Sequence, residues 1–344
     1  GGTIGFNMRR SKASGTRRFT AIDLFSGCGG LTQGLKNAGF DVIAAVDLEP
    51  IAVETYRMNH PEVLTWEQDI RTLDARRIFK ELGLRKGELD LLAGCPPCQG
   101  FSAMRTKNGK KWNKDKRNDL IYDFLRLAKE LKPKTVMMEN VPGLLGNRRM
   151  KEFKAELEGM GYRFGDSPKV LNVAEYGVPQ RRRRMILMAS RYGVIPFAPA
   201  EMTPRTVKET IAALKPHGQS GDPLHDFPER RTPNMLELIA KTPKDGGSRS
   251  DLDRKYWRPC HVRYPKGFKD GYGRMKWDAV SPTITGGCVN PSKGRFLHPE
   301  ENRAITLREA ALLQSFPMNY QFSLRGGKDG VALMIGNALP PEFI

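Results

Sequence analysis

The sequence predicts an α/β fold in which a mostly parallel sheet is covered by helices and joined to a smaller, irregular domain. Three observations carry that expectation. Residues 19–190 alternate short apolar runs with stretches whose apolar residues recur at helical spacing, the pattern of repeated βαβ units. Parallel strands with helices on both faces are buried on both sides, which is why such runs are continuously apolar. From about Pro196 to Trp277 the texture turns to Pro, Gly and charge, and the 344 residues suffice for about two domains.

In order, "FTAIDLF" (19–25), "DVIAAV" (41–46), "LDLLAG" (89–94), "KTVMMEN" (134–140) and "RMILMAS" (184–190) are expected as buried strands, with a further strand ending before Asp69. Segments such as "LIYDFLRLAKELK" (120–132) separate them as helices. In the irregular part only "NMLELIAK" (234–241) has clear helical periodicity. Regular structure returns with "TLREAALLQSF" (306–316) and "GVALMIGNALPP" (330–341). The expected divisions are a basic tail at 1–18, a first domain at 19–195, the irregular domain at 196–277, and a closing segment at 278–344 that returns to the first domain.

The formal charge of +19 points to a polyanionic partner, nucleic acid foremost, because a basic surface gains free energy by releasing counterions from it. The charge is clustered. Residues 1–18 hold five Lys/Arg and no acid, residues 102–118 hold seven against one Asp, and residues 181–184 are four consecutive arginines. No run of about 18 apolar residues occurs, so no membrane role is expected and a soluble, intracellular protein is: cytoplasmic in a prokaryote, nuclear in a eukaryote. Five unevenly spaced cysteines make no disulfide framework.

The first chemical feature is "DLFSGCGGLTQGL" (23–35), where a strand gives way to glycines that let the backbone turn tightly against a ligand before a helix starts. Its spacing matches neither the phosphate loop nor the usual dinucleotide fingerprint. Asp47, about twenty residues on, stands where an acid can hold ribose hydroxyls, and Asp69 where one can accept from an adenine amino group. Each Asp alone fits a helix cap or solvated turn equally well; together with the turn they favour an adenosine ligand. The second feature is "GCPPCQGFS" (94–102). A redox Cys-x-x-Cys belongs in a thioredoxin-like unit, and a zinc half-site needs a second pair. Neither is close in sequence, although Cys260-His261 leaves a metal site open. The remaining reading is that Pro97 fixes the backbone so that Cys98 projects from a strand end as a nucleophile, its thiolate favoured by the basic stretch that follows.

Seven ordered segments, "DLFSGCGG", "GCPPCQGFS", "MENVPGLL" (138–145), "YGVPQRRRR" (176–184), "SPTITGG" (281–287), "ITLREAALLQSFP" (305–317) and "IGNALPP" (335–341), give the chain a resemblance to the DNA (cytosine-5)-methyltransferases, which use S-adenosylmethionine. The resemblance runs from Phe19 to the end of the sequence and implies a Rossmann-like methyltransferase fold with 196–277 as a target-recognition domain. It makes Cys98 the nucleophile at cytosine C6, Glu139 the acid at N3, Asn140 its orienter, and Arg182 and Arg184 the holders of base and acid. A water or hydroxide would take the C5 proton.

For the cofactor, S-adenosylmethionine without metal, the same resemblance implies Phe25, Ser26, Gly27, Cys28, Gly29 and Gly30 in the turn. Asp47 and Leu48, Asp69 and Ile70, Pro97, Leu120, Asn337 and Ala338 complete the set. Leu48 departs from the aromatic residue usual there. Residues 99–118 match a loop that closes over a flipped base, with Ser102 near the cytosine and Lys110, Lys111, Lys114 and Arg117 on the DNA. Duplex DNA is the implied partner of a monomer, with a cognate restriction endonuclease in its setting. Relatives continue past "GNALPP", so a longer chain is expected. Two alternatives are an RNA methyltransferase of the same architecture, disfavoured by the 80-residue variable segment, and a nucleic-acid-binding protein with a dead site, disfavoured by intact Cys98, Glu139 and Arg184.

Overall fold

A computed structural model describes residues 16–97, 120–201 and 203–344. Among the described residues seven strands form one sheet: β1 (Thr20–Leu24), β2 (Asp41–Asp47), β3 (Leu64–Glu67), β4 (Leu91–Gly94), β5 (Thr135–Asn140), β6 (Lys169–Asn172) and β7 (Arg183–Ser190). Their spatial order is β3-β2-β1-β4-β5-β7-β6. All neighbours pair parallel except β7, which runs antiparallel to both β5 and β6. The mostly parallel α/β architecture expected from the apolar runs is therefore what the chain adopts. The five quoted runs coincide with β1, β2, β4, β5 and β7; β6 has no counterpart in the sequence reading.

Chain order reverses between β1 and β4, leaving a crevice at the carboxyl edge of the sheet, where ligands bind in open α/β sheets. The chain leaves β1, β2, β3, β4 and β5 at that edge. Because β7 is antiparallel, its start lies at the same edge, Met185 standing opposite Asn140. That single reversed strand brings the arginine run to the crevice.

Helices α1 (Gly30–Asn37), α2 (Pro50–Asn59), α3 (Ala75–Leu82), α4 (Leu120–Leu131) and α5 (Arg148–Gly159) cover the sheet. Its main core packs Ile22, Leu24 and Leu92 of the strands against Ile78, Phe124, Leu127 and Phe153 of the helices. Beyond β7 come α6 (Val207–Ile211), α7 (Pro223–Asp226), α8 (Pro233–Lys241), α9 (Pro259–Arg263), α10 (Leu307–Leu313) and α11 (Gly327–Asn337). A second core mixes Val207, Ile211 and Leu224 with Ile284, Leu307, Leu313, Val331 and Ile335, and takes in Cys28 from the turn after β1. No described helix is long and apolar enough to cross a membrane.

Candidate active site

The turn after β1 is the first wall of the crevice. Phe25 (φ 57°), Gly27 (φ 52°) and Gly29 (φ 104°) all lie in the left-handed region, so the chain reverses within five residues. A Cβ on Gly29 would overlap the Tyr320 hydroxyl, whereas one on Gly27 would meet nothing within 4 Å. Only glycine fits the first position, and the second presents bare backbone to open space. Ser26 is tied to the end of β2 through its N–H, which donates to Val46 O at 3.0 Å. Tyr320 Oη donates to Cys28 O at 2.6 Å and sits 3.0 Å from His60 Nε2. Lys36 Nζ lies 3.1 Å from the other ring nitrogen, His60 Nδ1. Burial, seconded by Lys36, pulls the His60 pKa down to about 4, so the ring is neutral, with Nδ1 accepting from the ammonium and Nε2 donating to Tyr320. The closing segment is thereby pinned to the back of the turn.

Asp47 ends β2. Its Oδ2 accepts from Gly27 N at 2.8 Å and its Oδ1 from Glu49 N at 2.9 Å, which orients the carboxylate at the rim of the turn. Burial raises its pKa, while the two backbone N–H groups act in the opposite direction. Leu48 beside it is 57% exposed. Asp69 follows β3, caps the turn that starts at the buried Ile70, and is gripped by Arg71 through the backbone N–H at 2.9 Å and the guanidinium at 2.6 Å. These bonds hold the Asp69 carboxyl below the usual range. Leu120 opens α4 against the main core, and Pro97 closes the described part of the loop after β4.

The second wall is built on β4, β5 and β7. Glu139, 3% exposed at the end of β5, has both oxygens engaged: Arg184 Nε lies 3.0 Å from Oε1, and Cys95 Sγ donates to Oε2 at 2.8 Å. Asn140 does not reach Glu139. Its Nδ2 donates to Pro96 O at 3.0 Å, which ties the end of β5 to the loop that carries Cys95 and Pro97.

Arg182 also departs from expectation. It lies one residue before β7, outside the strand alternation, and points to the closing segment instead of to the acid. Its guanidinium donates to Ile284 O at 2.8 Å and Gly336 O at 2.9 Å, and more loosely to Ala338 O and Gln180 Oε1. Burial, with Arg184 second, lowers its pKa to about 9. Asn337 and Ala338 are the residues this clamp positions, together with Gln314, whose Nε2 donates to Ile335 O at 2.7 Å.

Cys98, Ser102, Lys110, Lys111, Lys114 and Arg117 lie outside the described residues. Among the described residues no cluster of three His, Cys, Asp or Glu side chains suits a metal ion. Cys260 is exposed and His261 is buried against Tyr272. Sequence reasoning missed Cys95, Gln180, Gln314 and Tyr320. Gln180 carried one available signal, an amide immediately before a run of four arginines; it is fully buried and bonds Leu313 O and Gln314.

The family model described as C-5 cytosine-specific DNA methylase matches residues 19–344. A Type II methylase of Herpetosiphon aurantiacus is 37% identical, with 93% of this chain and 91% of that protein covered. A Type II methyltransferase of Haemophilus parahaemolyticus is 36% identical over 94% of this chain and 83% of its own length. Among solved structures, a DNA modification methyltransferase encoded within an Escherichia coli prophage superposes with a TM-score of 0.67 at 27% identity, covering 94% of this chain and 96% of that one. A DNMT2 from Spodoptera frugiperda shares the fold at a TM-score of 0.63 and 18% identity, over 94% and 96% of the two chains.

Proposed function

The chain belongs to the C-5 cytosine-specific DNA methylases and is a DNA (cytosine-5)-methyltransferase; from that premise we propose how its residues divide the reaction. Cytosine C5 is too electron-poor to take a methyl group directly. The Cys98 thiolate adds to C6, Glu139 places a proton at N3 as charge builds there, and C5 becomes an enamine carbon. S-adenosylmethionine, when bound, supplies the electrophilic methyl. Loss of the C5 proton to a water or hydroxide, with the N3 proton returning to Glu139, then lets the thiolate leave and restores the double bond. Since C5 and C6 are sheltered in the duplex, the cytosine must be flipped out.

The observation that carries this reading is the Arg184–Glu139 pair at 3.0 Å, set beside the loop that leads through Pro97 into Cys98. The cofactor fits the first wall by the chemistry present: open backbone at Gly27, an oriented carboxylate at Asp47, and a loop at Asn337 and Ala338 clamped by Arg182. Residues 196–277 hold sixteen Lys/Arg against ten Asp/Glu and serve as the target-recognition domain in the major groove. The enzyme acts as a cytoplasmic monomer on duplex DNA, with a restriction endonuclease as its functional counterpart. Duplex carrying 5-fluorocytosine at the target position tests the reaction. A stable protein–DNA adduct forms with the cofactor present and disappears in Cys98→Ser; an adduct that survives this change, or that is lost with Cys95→Ser instead, sinks the assignment.

A further inference from the structure

We infer that Cys95 is a positioning residue of this methyltransferase: its thiol proton fixes Oε2 of Glu139 while Arg184 fixes Oε1, so that the carboxyl group meets cytosine N3 in one orientation. The inference rests on the role proposed above for Glu139. Cys95 would otherwise be a small space-filling residue. The geometry gives it a direction instead, since Sγ donates to Oε2 at 2.8 Å. Burial first, and the Glu139 charge second, push the Cys95 thiol well above its ordinary range, so it keeps its proton and remains a donor.

The mounting is stiff. Cys95 directly follows β4 and Glu139 is the penultimate residue of β5, and these are neighbouring strands paired from Leu91↔Thr135 to Gly94↔Met138. Asn140, next to Glu139, donates to the carbonyl of Pro96, next to Cys95. Donor and acceptor are thus held by the strand pairing and by a cross-tie one residue further along each chain. Cys95 has a single side-chain torsion before its sulfur. Removing the donor leaves an oxygen of a 3% exposed carboxylate without that partner and lets the group turn about its last torsion.

The test compares wild type, Cys95→Ala, Cys95→Ser and Glu139→Gln in methyl transfer from tritiated S-adenosylmethionine to unmethylated genomic DNA, with thermal melting of each. Cys95→Ala is expected to lower kcat about 10- to 100-fold, with KM for the cofactor unchanged and the melting temperature lowered by no more than the loss of one buried hydrogen bond explains. Cys95→Ser restores a donor at the same place and recovers most of the rate. A packing role predicts the opposite order, because the hydroxyl is the poorer filler. Wild-type turnover in Cys95→Ala, or a Ser variant as slow as the Ala variant, overturns the inference. Cys95→Val replaces the Ala variant under the same expectations should the latter not fold. Full activity in Glu139→Gln removes the underlying reading; an inactive Glu139→Gln beside a fully active Cys95→Ala removes only the role of Cys95.

Discussion

Asp23 is an acid at the centre of a fold that offers it little. It is fully buried in β1, Thr32 Oγ1 donates to its Oδ2 at 2.7 Å, and its Oδ1 has no hydrogen-bond partner among the described residues. Burial pushes its pKa up to about 7, with Asp47 adding repulsion against the Thr32 bond. An unfolded Asp titrates near 4, so between about pH 4 and 7 the native state binds the extra proton and stability falls as pH rises. Asp23→Asn removes that dependence. The stability of the variant relative to wild type is expected to grow across this window, by up to about 4 kcal/mol, and to level off above it; urea midpoints measured from pH 4 to 9 decide the matter. The two arginines of the crevice give a second contrast at this scale. Arg182→Lys leaves carbonyls of Ile284, Gly336 and Ala338 short of donors, so it should lower stability by about 1–3 kcal/mol and weaken cofactor binding. Arg184→Lys loses the Nε contact to Glu139 and should lower kcat with melting unchanged. Calorimetry and steady-state kinetics on the two variants separate the clamp from the acid holder.

Helix α8 shows how the irregular region is held without a sheet. A helix ends with orphan carbonyls, and those of Ile239 and Thr242 are taken by Arg274, which is 0% exposed. The same guanidinium donates to His298 O at 2.9 Å, Glu301 O at 2.7 Å and Asn302 Oδ1 at 2.6 Å, so one cation joins α8 to the closing segment. Arg274→Met strands these acceptors and is expected to cost about 3–5 kcal/mol, read as a lower urea midpoint. Such a tie is invisible in the sequence because four of its five partners are backbone atoms, up to 35 residues away. The turn after β1 was legible for the opposite reason: positive φ demands glycine, and glycines recur within a few positions of a strand end. Glu139 and Arg184 were legible as residues at strand termini, but β7's direction was not, since an apolar run carries no sign of antiparallel pairing. β6 escaped because "KVLN" is four residues long with an exposed Lys169, as suits an edge. The Cys-x-x-Cys spacing drew attention to metals and redox chemistry and away from the bond that Cys95 makes across to β5.

At the scale of the whole molecule, the +19 charge is clustered along the sequence. Residues 254–269 hold six Lys/Arg and no acid, and Arg263, Lys266 and Lys269 are exposed there beside Tyr264 and Val262, which are 58% and 57% exposed. Residues 102–118 form another basic cluster in the sequence. Both clusters are proposed to meet phosphates, but in different capacities, and salt dependence separates them. Each phosphate contact contributes about 0.9 to the slope of log affinity against log salt on duplex DNA. Replacing Arg263, Lys266 and Lys269 with Gln should flatten that slope by about two to three if all three make contact, and leave turnover at saturating DNA as it was. Replacing Lys110, Lys111 and Lys114 with Gln should flatten it equally and also lower turnover if, as the resemblance implies, residues 99–118 close over the base and complete the site. Neither change should alter the preferred sequence, since phosphates carry no base identity. Binding isotherms at several salt concentrations, with bisulfite sequencing of methylated DNA, check all three statements. A loop variant that keeps its slope and its rate would remove the phosphate contacts proposed for residues 102–118, and one whose main defect is a changed recognition sequence would place base reading there and leave 196–277 without the role proposed for it.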